Sequence, residues 1–237
     1  MLIYGVDYMI ANYCELSEAY NKIVSECYSP GEAFIKIRCG EYLNEYCRRK
    51  RKNIGLADEH FFIDYFTKWL PYKVCMEDKR VIEAFYPSAD EYVRLTDMLN
   101  GTSVYSRFKL LDPKIKYESV RLMLLKRSIM EFNNSFIISK MPCIIDLDKY
   151  RQKMTQKDCE YERDSGRFKV ESVFSKNSVV MSKINGCEYF IRLFFNPEVI
   201  ELVEENDIFD ISVVKDGGRW KLDDINGCYN KQGKSFI

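Results

Sequence analysis

The sequence has few of the residues, and none of the familiar patterns, on which most catalytic and metal sites depend. It contains a single histidine, His60, and none of its nine cysteines forms a C-x-x-C pair. Structural zinc sites take paired ligands from one turn of chain, so the spacing predicts no metal site. The phosphate-binding loop, the dinucleotide-binding glycine pattern, G-x-S-x-G and H-E-x-x-H are also missing. We therefore expect no cofactor and none of the enzyme classes that use these motifs.

Long apolar runs are missing as well. No stretch approaches the ~18 apolar residues that a membrane-spanning helix needs. The apolar start of the chain reaches Asp7 without the pattern of a signal peptide. An odd number of cysteines without a secretory signal argues against a disulfide framework. These absences predict a soluble, cytoplasmic protein with free thiols and no contact with membranes.

The chain also lacks a net charge, with 36 basic and 36 acidic residues. Residues 111–160 are mildly basic, with ten Lys or Arg against seven Asp or Glu. An obligate nucleic-acid binder normally carries a strong overall positive charge. The composition therefore leaves room for a local basic patch only.

Aromatic residues, by contrast, are plentiful, because the 237 residues include 17 Tyr and 15 Phe. Large rings bury much apolar surface, so a chain of this length can form a sizeable core without metal or disulfide support. Residues at helical spacing between positions 61 and 70 are expected in that core, with a partner-binding groove as the alternative: Phe61, Phe62, Phe66, Trp69 and Leu70.

The first half of the sequence predicts six amphipathic helices with recognisable ends. Ser29, Pro30 and Glu32 form a capping box that starts the second helix. Asp58 starts the third, and Asn100-Gly101 ends the fifth. The six predicted helices are Asp7 to about Cys27, 30–52 with Gly55 beyond its end, 59–70 ending before Pro71, 76–86 ending before Pro87, 89–100, and a sixth that Asp112-Pro113 opens.

The pattern changes after Asn133-Asn134. The runs 136–138 and 143–145 favour short strands, and residues 146–162 favour a polar surface helix or a linker. Asp164-Ser165-Gly166 then breaks the chain. This predicts a helical domain of residues 1–160 followed by a second domain of residues 161–237.

The second domain alternates polar and apolar residues with the period of β-strands. Five strands are predicted, near 167–173, 179–181, 189–195, 208–214 and 219–222. Asn185-Gly186 is a strong hairpin signal, because a type I′ turn needs positive φ at both central residues. A short helix near 198–203 separates the third strand from the fourth. The prediction is an α+β protein whose second domain is a small antiparallel β-barrel of OB or SH3-like type.

The last predicted strand carries a resemblance to a known family. Gly217-Gly218-Arg219-Trp220-Lys221-Leu222-Asp223-Asp224-Ile225 resembles the closing strand of nuclear-transport-factor-2-like domains, where a Trp-x-Ile/Leu-x-Asp pattern often follows a glycine turn. The resemblance covers this segment alone and transfers no functional residue. It implies helices packed into a curved sheet, which residues 112–162 would supply, and it is the alternative to the OB or SH3-like barrel.

His60 is the one candidate for general acid–base catalysis, because histidine is the side-chain type best suited to that role near neutral pH. Asp64 follows one helical turn later and would orient the ring. No nucleophile is indicated that would complete a triad. A half-exposed residue in the first turn of a helix is the other interpretation, and no catalytic residue is assigned.

The most pronounced charge feature is a run of five consecutive cations, Arg48, Arg49, Lys50, Arg51 and Lys52. Such a run suits the phosphates of a nucleic-acid backbone or an acidic protein surface. It also suits the C-terminus of a helix, where cations complement the dipole. Tyr42 and Tyr46 lie within two turns of the run and would either stack on bases or belong to the core.

Two possible binding surfaces, the basic run and the barrel, occur in a sequence without catalytic patterns. The sequence therefore favours a non-catalytic binding or regulatory module that acts on a macromolecule, and a protein is the partner class expected first. Nucleic-acid binding through residues 48–52 is the alternative. An enzyme of an unrecognised family, with His60 as its acid–base candidate, is the second alternative.

Overall fold

The computed structural model describes residues 3–74, 77–140, 162–174, 177–184 and 189–230, except for the side chains of residues 3–14 and 134–140. The chain divides into two compact units, Met1–Leu124 and Leu125–Ile237. A helical first part and antiparallel strands at the end confirm the predicted α+β class. The predicted domain boundary between residues 160 and 161 lies outside the described residues and stays a prediction.

Seven helices precede the strands in the described part of the chain. They are α1 (Ile3–Cys27), α2 (Pro30–Lys50), α3 (Glu59–Asp64), α4 (Leu70–Lys73), α5 (Lys79–Asn100), α6 (Val104–Lys109) and α7 (Pro113–Lys140). A 3₁₀ turn spans Ile54–Leu56, and a π-helical turn at Tyr65–Trp69 joins α3 to α4. Within the described ranges, no helix combines the length and the apolarity that crossing a membrane requires.

Three predicted helix ends are confirmed, and each depends on a local interaction. The Glu32 carboxylate accepts hydrogen bonds from the backbone N–H and the hydroxyl of Ser29, at 3.3 and 2.7 Å. Asp58 accepts a hydrogen bond from the backbone N–H of Phe61 at 2.8 Å. Gly101 takes the left-handed conformation, with φ 63°, that ends α5. Because these signals involve residues within one turn, the sequence alone places them.

Two helix ends that were predicted at prolines are wrong. Pro71 lies in α4, directly after the π-helical turn Tyr65–Trp69, so the helical backbone continues past it, and Pro87 lies inside α5. The buried face of α5 continues on both sides of the proline, from Phe85 to Ala89 and Tyr92. Burial of that face within the first unit outweighs the loss of one helical hydrogen bond.

Aromatic side chains form the centre of the first unit, and they include the rings that the sequence placed there. Tyr46 is fully buried, and its ring centroid lies 4.8 Å from that of Phe61 and 5.3 Å from that of Trp69. Phe62 meets Phe108 edge to face, with the centroids 5.0 Å apart. Such tilted and edge-to-face contacts add to the free energy gained from burying the rings.

One antiparallel sheet with the strand order β3-β2-β1-β4-β5 forms most of the second unit. Its strands are β1 (Glu162–Phe174), β2 (Ser178–Lys183), β3 (Phe190–Phe194), β4 (Ile208–Asp216) and β5 (Arg219–Tyr229), with a short helix α8 (Pro197–Ile200) between β3 and β4. The sheet curls until its edge strands β3 and β5 approach each other, which makes a half-barrel. The five predicted strands are therefore confirmed. Alternate residues such as Val179, Met181, Ile191 and Leu193 fill the interior.

β1 is the longest strand and lies at the centre of the sheet. Its residues 162–169 pair with β4, and its residues 168–174 pair with β2. The pairing with β2 shifts at a bulge between Val170 and Ser172. A bulge bends a strand and increases its twist, which lets β1 serve both sides of the half-barrel.

Two predictions about the start of this unit are wrong. Residues 136–138 belong to α7, which reaches Lys140, because no proline or glycine stops the helix before Pro142. Asp164-Ser165-Gly166 belongs to β1, because Gly166 tolerates φ 140° while the pairing with β4 continues. The run 143–145, the polar segment that follows it up to residue 161, and the Asn185-Gly186 turn lie outside the described residues.

Candidate interaction surfaces

The basic run at residues 48–52 lies at the end of α2, and its cations fall into two sets. Lys50 pairs with Asp64 at 2.7 Å, and Lys52 pairs with Asp58 at 2.8 Å. The remaining three are exposed and have no ion-pair partner among the described residues: Arg48, Arg49 and Arg51. Three of the five charges are thus available to a partner.

Arg51 shapes the end of α2, and Gly55, which was predicted beyond the helix, lies in the following 3₁₀ turn. Arg51 is left-handed, with φ 50°, and its N–H donates to the carbonyl of Arg48 at 3.1 Å. A residue with a Cβ is sterically strained in this conformation, whereas glycine is not. Lys50 and Lys52, on either side of it, are both ion-paired and hold the turn.

Tyr42 and Tyr46 belong to the core of the first unit, so their interpretation as base-stacking residues is wrong. The Tyr46 hydroxyl donates to Asp64 at 2.5 Å, and the Tyr42 hydroxyl donates to Glu77 at 2.7 Å. Burial, together with these carboxylates, raises the pKa of both phenols. The basic run therefore loses the two rings that a single-stranded nucleic-acid site would have used.

His60 is exposed in the first turn of α3. Asp64 is occupied elsewhere, because it accepts hydrogen bonds from Tyr46 and Lys50 and lies 3.4 Å from the ammonium of Lys68. Partial burial acts to raise the pKa of Asp64, but the hydrogen bonds from Lys50 and Tyr46 outweigh it and hold that pKa below its usual range. Asp64 is a fixed anion in an ion-pair cluster and does not orient the His60 ring.

An aromatic surface on β3 was missed by the sequence reasoning. Phe190 and Phe194 are 67% and 49% exposed, and Arg192 lies exposed between them. Ile191 and Leu193 point the other way and are buried. Successive side chains of a strand point to opposite faces, so β3 presents two rings and a cation outside the half-barrel.

Phe174 extends this surface across the sheet. It pairs with Ser178, which pairs with Phe194, so the three residues lie in one cross-strand row. The guanidinium of Arg192 lies 4.9 Å from the centroid of the Phe174 ring, which is 45% exposed. We call Phe174, Phe190, Arg192 and Phe194 the aromatic face.

One residue carried a signal that could have located the aromatic face. Arg192 is the only charged residue in the apolar run from Tyr189 to Phe195. A charged side chain in a strand points to solvent unless it is paired. Since alternate residues share a face, Phe190 and Phe194 lie outside with Arg192.

Next to the aromatic face, a pocket of about 270 Å³ opens where α7, β3 and β5 meet. Its apolar walls come from all three elements: Phe132, Phe194, Trp220 and Leu222. Its polar lining consists of Asn133, Arg219 and Lys221. We call this cavity the β3–β5 pocket.

Contacts on both sides hold α7 at this opening. The side-chain amide of Asn133 donates to the backbone carbonyl of Asp223 in β5 at 2.9 Å. The Phe132 ring meets the ring of Phe195, which directly follows β3, at a centroid distance of 5.9 Å. The helix therefore bridges the two edge strands that the curled sheet leaves without a hydrogen-bonded neighbour.

Trp220 is fixed by its neighbours in the half-barrel. The Tyr189 ring stacks on it at 6.0 Å, and the ammonium of Lys215 lies 5.4 Å from its centroid. Lys221 pairs with Asp216 at 2.5 Å, whereas Arg219 is exposed and has no ion-pair partner among the described residues. The pocket thus combines fixed apolar walls with an unpaired cation at its rim.

Among the cysteines with described side chains, Cys27, Cys39 and Cys47 are free thiols. Burial raises the pKa of Cys39 and of Cys47 to about 12. Both thiols are therefore protonated at neutral pH and are poor nucleophiles. Within the described ranges, no three His, Cys, Asp or Glu side chains are grouped as a metal site would require.

Three candidate surfaces emerge among the described residues: the aromatic face, the β3–β5 pocket and the three exposed arginines of the basic run. The first two share Phe194 and form one continuous region of the half-barrel. No protein-family model, curated protein or solved structure matches the chain.

Proposed function

We propose that the chain is a non-catalytic binding module whose half-barrel recognises a protein partner. The observation that carries this proposal is the aromatic face, on which three exposed phenylalanine rings surround Arg192. Buried centres of protein interfaces are enriched in aromatic residues and arginine. Contact with a partner would remove this apolar area from water, at about 25 cal/mol for each Å² buried.

The charge of the half-barrel favours a protein over a nucleic acid at this surface. Its described residues between 162 and 230 include eight Lys or Arg and twelve Asp or Glu. A phosphate backbone is bound by several cations along its path, and this module has more acidic than basic residues. Beside the aromatic face, Glu171 pairs with Lys169 at 2.8 Å and accepts a hydrogen bond from Ser182, the strand partner of Phe190.

The proposal is tested by affinity purification from extracts of the source cells with the parent protein and two variants, Phe190→Ser and Phe194→Ser. Phe34→Ser is the matched control, because Phe34 is 68% exposed but lies on α2. We expect a defined protein that the parent and the control retain and that both β3 variants lose. With the partner purified, each β3 variant should weaken binding about tenfold or more, since burying one ring contributes ~1.5–3 kcal/mol.

Stability serves as the second readout of that experiment. Phe190 and Phe34 are 67% and 68% exposed, so Phe190→Ser and Phe34→Ser should each unfold within about 0.5 kcal/mol of the parent. Equal retention of the partner by the parent and both β3 variants, or no specific partner at all, would contradict the proposal.

We propose further that the half-barrel is of OB or SH3-like type. Five antiparallel strands in a partly open, curled sheet support the OB type in particular. The nuclear-transport-factor-2-like alternative is supported by the contacts of α7 with both edges of the sheet, through Asn133 and Phe132. Each is an analogy of fold and carries no functional residue.

A second candidate function is nucleic-acid binding through the basic run, favoured by the three exposed arginines that the ion pairs leave available. Changing these three arginines to Gln should lower the slope of log affinity against log salt by up to ~0.9 per contact on duplex DNA. Changing Lys50 and Lys52 to Gln is the matched control and should lower the slope much less, because both cations are already paired. An equal loss of slope in the two variants, or no binding of DNA by the parent, excludes this candidate.

A further inference from the structure

We infer that the β3–β5 pocket receives one apolar side chain from a segment of the protein partner that carries a carboxylate next to it. This inference rests on the proposed function, because it names the chemistry by which the half-barrel recognises its partner. It goes beyond the aromatic face, because it names the pocket that the partner enters. It also states that the bound segment carries an apolar anchor side chain and a negative charge.

The size and walls of the pocket fit one side chain. A cavity of about 150 Å³ lined by apolar residues is enough to hold benzene, and this pocket has about 270 Å³. Pockets for drug-sized molecules usually measure about 300–1,000 Å³. Phe132, Trp220 and Leu222 would make apolar contacts around the side chain of a phenylalanine or a leucine.

The rim supplies the preference for negative charge. The charged residues in the pocket lining, Arg219 and Lys221, are both cations. Lys221 is already paired with Asp216, whereas Arg219 has no ion-pair partner among the described residues. An arginine guanidinium pairs with a carboxylate through two parallel hydrogen bonds. Asn133 holds the wall that α7 forms, because its side-chain amide donates to the carbonyl of Asp223 in β5.

The position of the pocket supports a protein segment as its occupant. Phe194 is both a wall of the pocket and a member of the aromatic face, so a partner that covers the face reaches the pocket without a gap. Interfaces commonly place one anchor side chain in a pocket and surround it with flatter contacts. A carboxylate beside the anchor would meet Arg219.

Trp220 provides a direct signal for occupancy of the pocket. The chain has two tryptophans, and the other, Trp69, lies in the core of the first unit. The full-length Trp69→Phe variant therefore reports from Trp220 alone. The probes are short blocked peptides with one central phenylalanine flanked by aspartates, by asparagines or by lysines, and an aspartate peptide with alanine in place of phenylalanine.

We expect a saturable change in Trp220 emission with the aspartate peptide and no change with its alanine version. Affinity should fall about tenfold from aspartate to lysine flanks, because a like charge at the rim replaces an attractive one. The Arg219→Gln variant should lose this charge preference. Arg163→Gln, which removes an exposed cation from β1, is the matched control and should keep it. Should Trp69→Phe fail to fold, the parent is titrated with Trp220→Phe as the silent control.

Three results would overturn the inference. The first is equal affinity for the aspartate and lysine peptides. The second is tighter binding of free 3-phenylpropionate than of the aspartate peptide, which would assign the pocket to a small acid. The third is a change in Trp220 emission with protein concentration in the absence of peptide, which would assign the pocket to a second copy of the chain. If the partner captured through the aromatic face binds without perturbing Trp220, the pocket inference fails while the proposed function stands.

Discussion

Asp64 offers a sharp test of the ion-pair cluster that joins the end of α2 to α3. Its Oδ2 atom accepts hydrogen bonds from the Tyr46 hydroxyl at 2.5 Å and the Lys50 ammonium at 2.7 Å, and its Oδ1 lies 3.4 Å from the Lys68 ammonium. Asp64→Asn keeps the shape and one oxygen acceptor but removes the charge. The buried Tyr46 hydroxyl therefore keeps a partner, and the variant isolates the contribution of the charge.

The expected loss of stability follows from the hydrogen bonds to the charged Asp64 and from the exposure of Lys50. A hydrogen bond to a charged group contributes ~1.5–3 kcal/mol, against ~0.5–1.5 kcal/mol for a neutral one, so replacing the acceptor costs ~1–1.5 kcal/mol. The Lys50 side chain is 44% exposed, so its ion pair adds at most ~1 kcal/mol. Asp64→Asn should thus lower the free energy of unfolding by ~1–2.5 kcal/mol near pH 7.

The loss should depend on pH in a defined direction. Although partial burial opposes it, hydrogen bonding from Lys50 and Tyr46 holds the pKa of Asp64 in the folded protein below its usual range. The unfolded chain then binds the proton more readily, so the stabilisation is complete above about pH 4 and disappears as the pH falls through the lower, folded-state pKa. Asparagine does not titrate, so the difference between variant and parent should shrink towards about pH 3.

Urea unfolding of both proteins at steps from about pH 7 to about pH 3 measures this difference. Glu26→Gln removes an exposed carboxylate from the same unit and should change stability by less than about 0.5 kcal/mol at every pH. A loss below about 0.5 kcal/mol near pH 7, or a loss that stays constant down to about pH 3, would refute the reasoning about Asp64.

Two further predictions concern the thiols and a helix end. If the protein is cytosolic, alkylation after non-reducing denaturation should add nine labels, one for each cysteine, and a mass that shows seven or fewer would reveal a disulfide. Gly101→Ala should lower the free energy of unfolding by about 1 kcal/mol, because alanine is strained at φ 63°. Gly31→Ala, in the first turn of α2 with open space around it, should leave stability unchanged or raise it, and equal effects at the two glycines would contradict the assignment of strain.

Local signals explain the parts of the fold that the sequence predicted well. Ser29 with Glu32, Asp58, and Gly101 each mark a helix end through contacts within one turn. The alternation in the last third of the chain predicted five strands, because the period of two is itself a property of neighbouring residues. Neither kind of signal requires knowledge of what packs on the element.

The helix ends that were predicted wrongly show that burial of a helix face can override local sequence signals. Pro87 is an unfavourable residue for a helix interior, but the apolar face of α5 is buried on both sides of it. Likewise, residues 136–138 (Phe, Ile, Ile) are types that favour strands, yet they continue α7, which no proline or glycine interrupts before Pro142. Burial of a whole face depends on distant parts of the chain, which a window of sequence does not contain.

The candidate surfaces were harder to predict than the elements that carry them. The basic run is visible in the sequence, but its division into paired and unpaired cations depends on Asp58 and Asp64, which packing brings to the end of α2. The β3–β5 pocket depends on the curl of the sheet and on the position of α7, and no short pattern encodes either.

The division of β1 between two partners also determines how the half-barrel can fold. Phe174 pairs with Ser178, four residues later, whereas Glu162 pairs with Lys215, which is 53 residues later. Closing the short loop costs much less chain entropy than closing the long one, and contacts between distant residues form slowly. The β1–β2–β3 meander and the β4–β5 hairpin can therefore form separately as local units. We therefore expect the joining of these two units along residues 162–169 of β1 to be the slow step in the folding of the half-barrel.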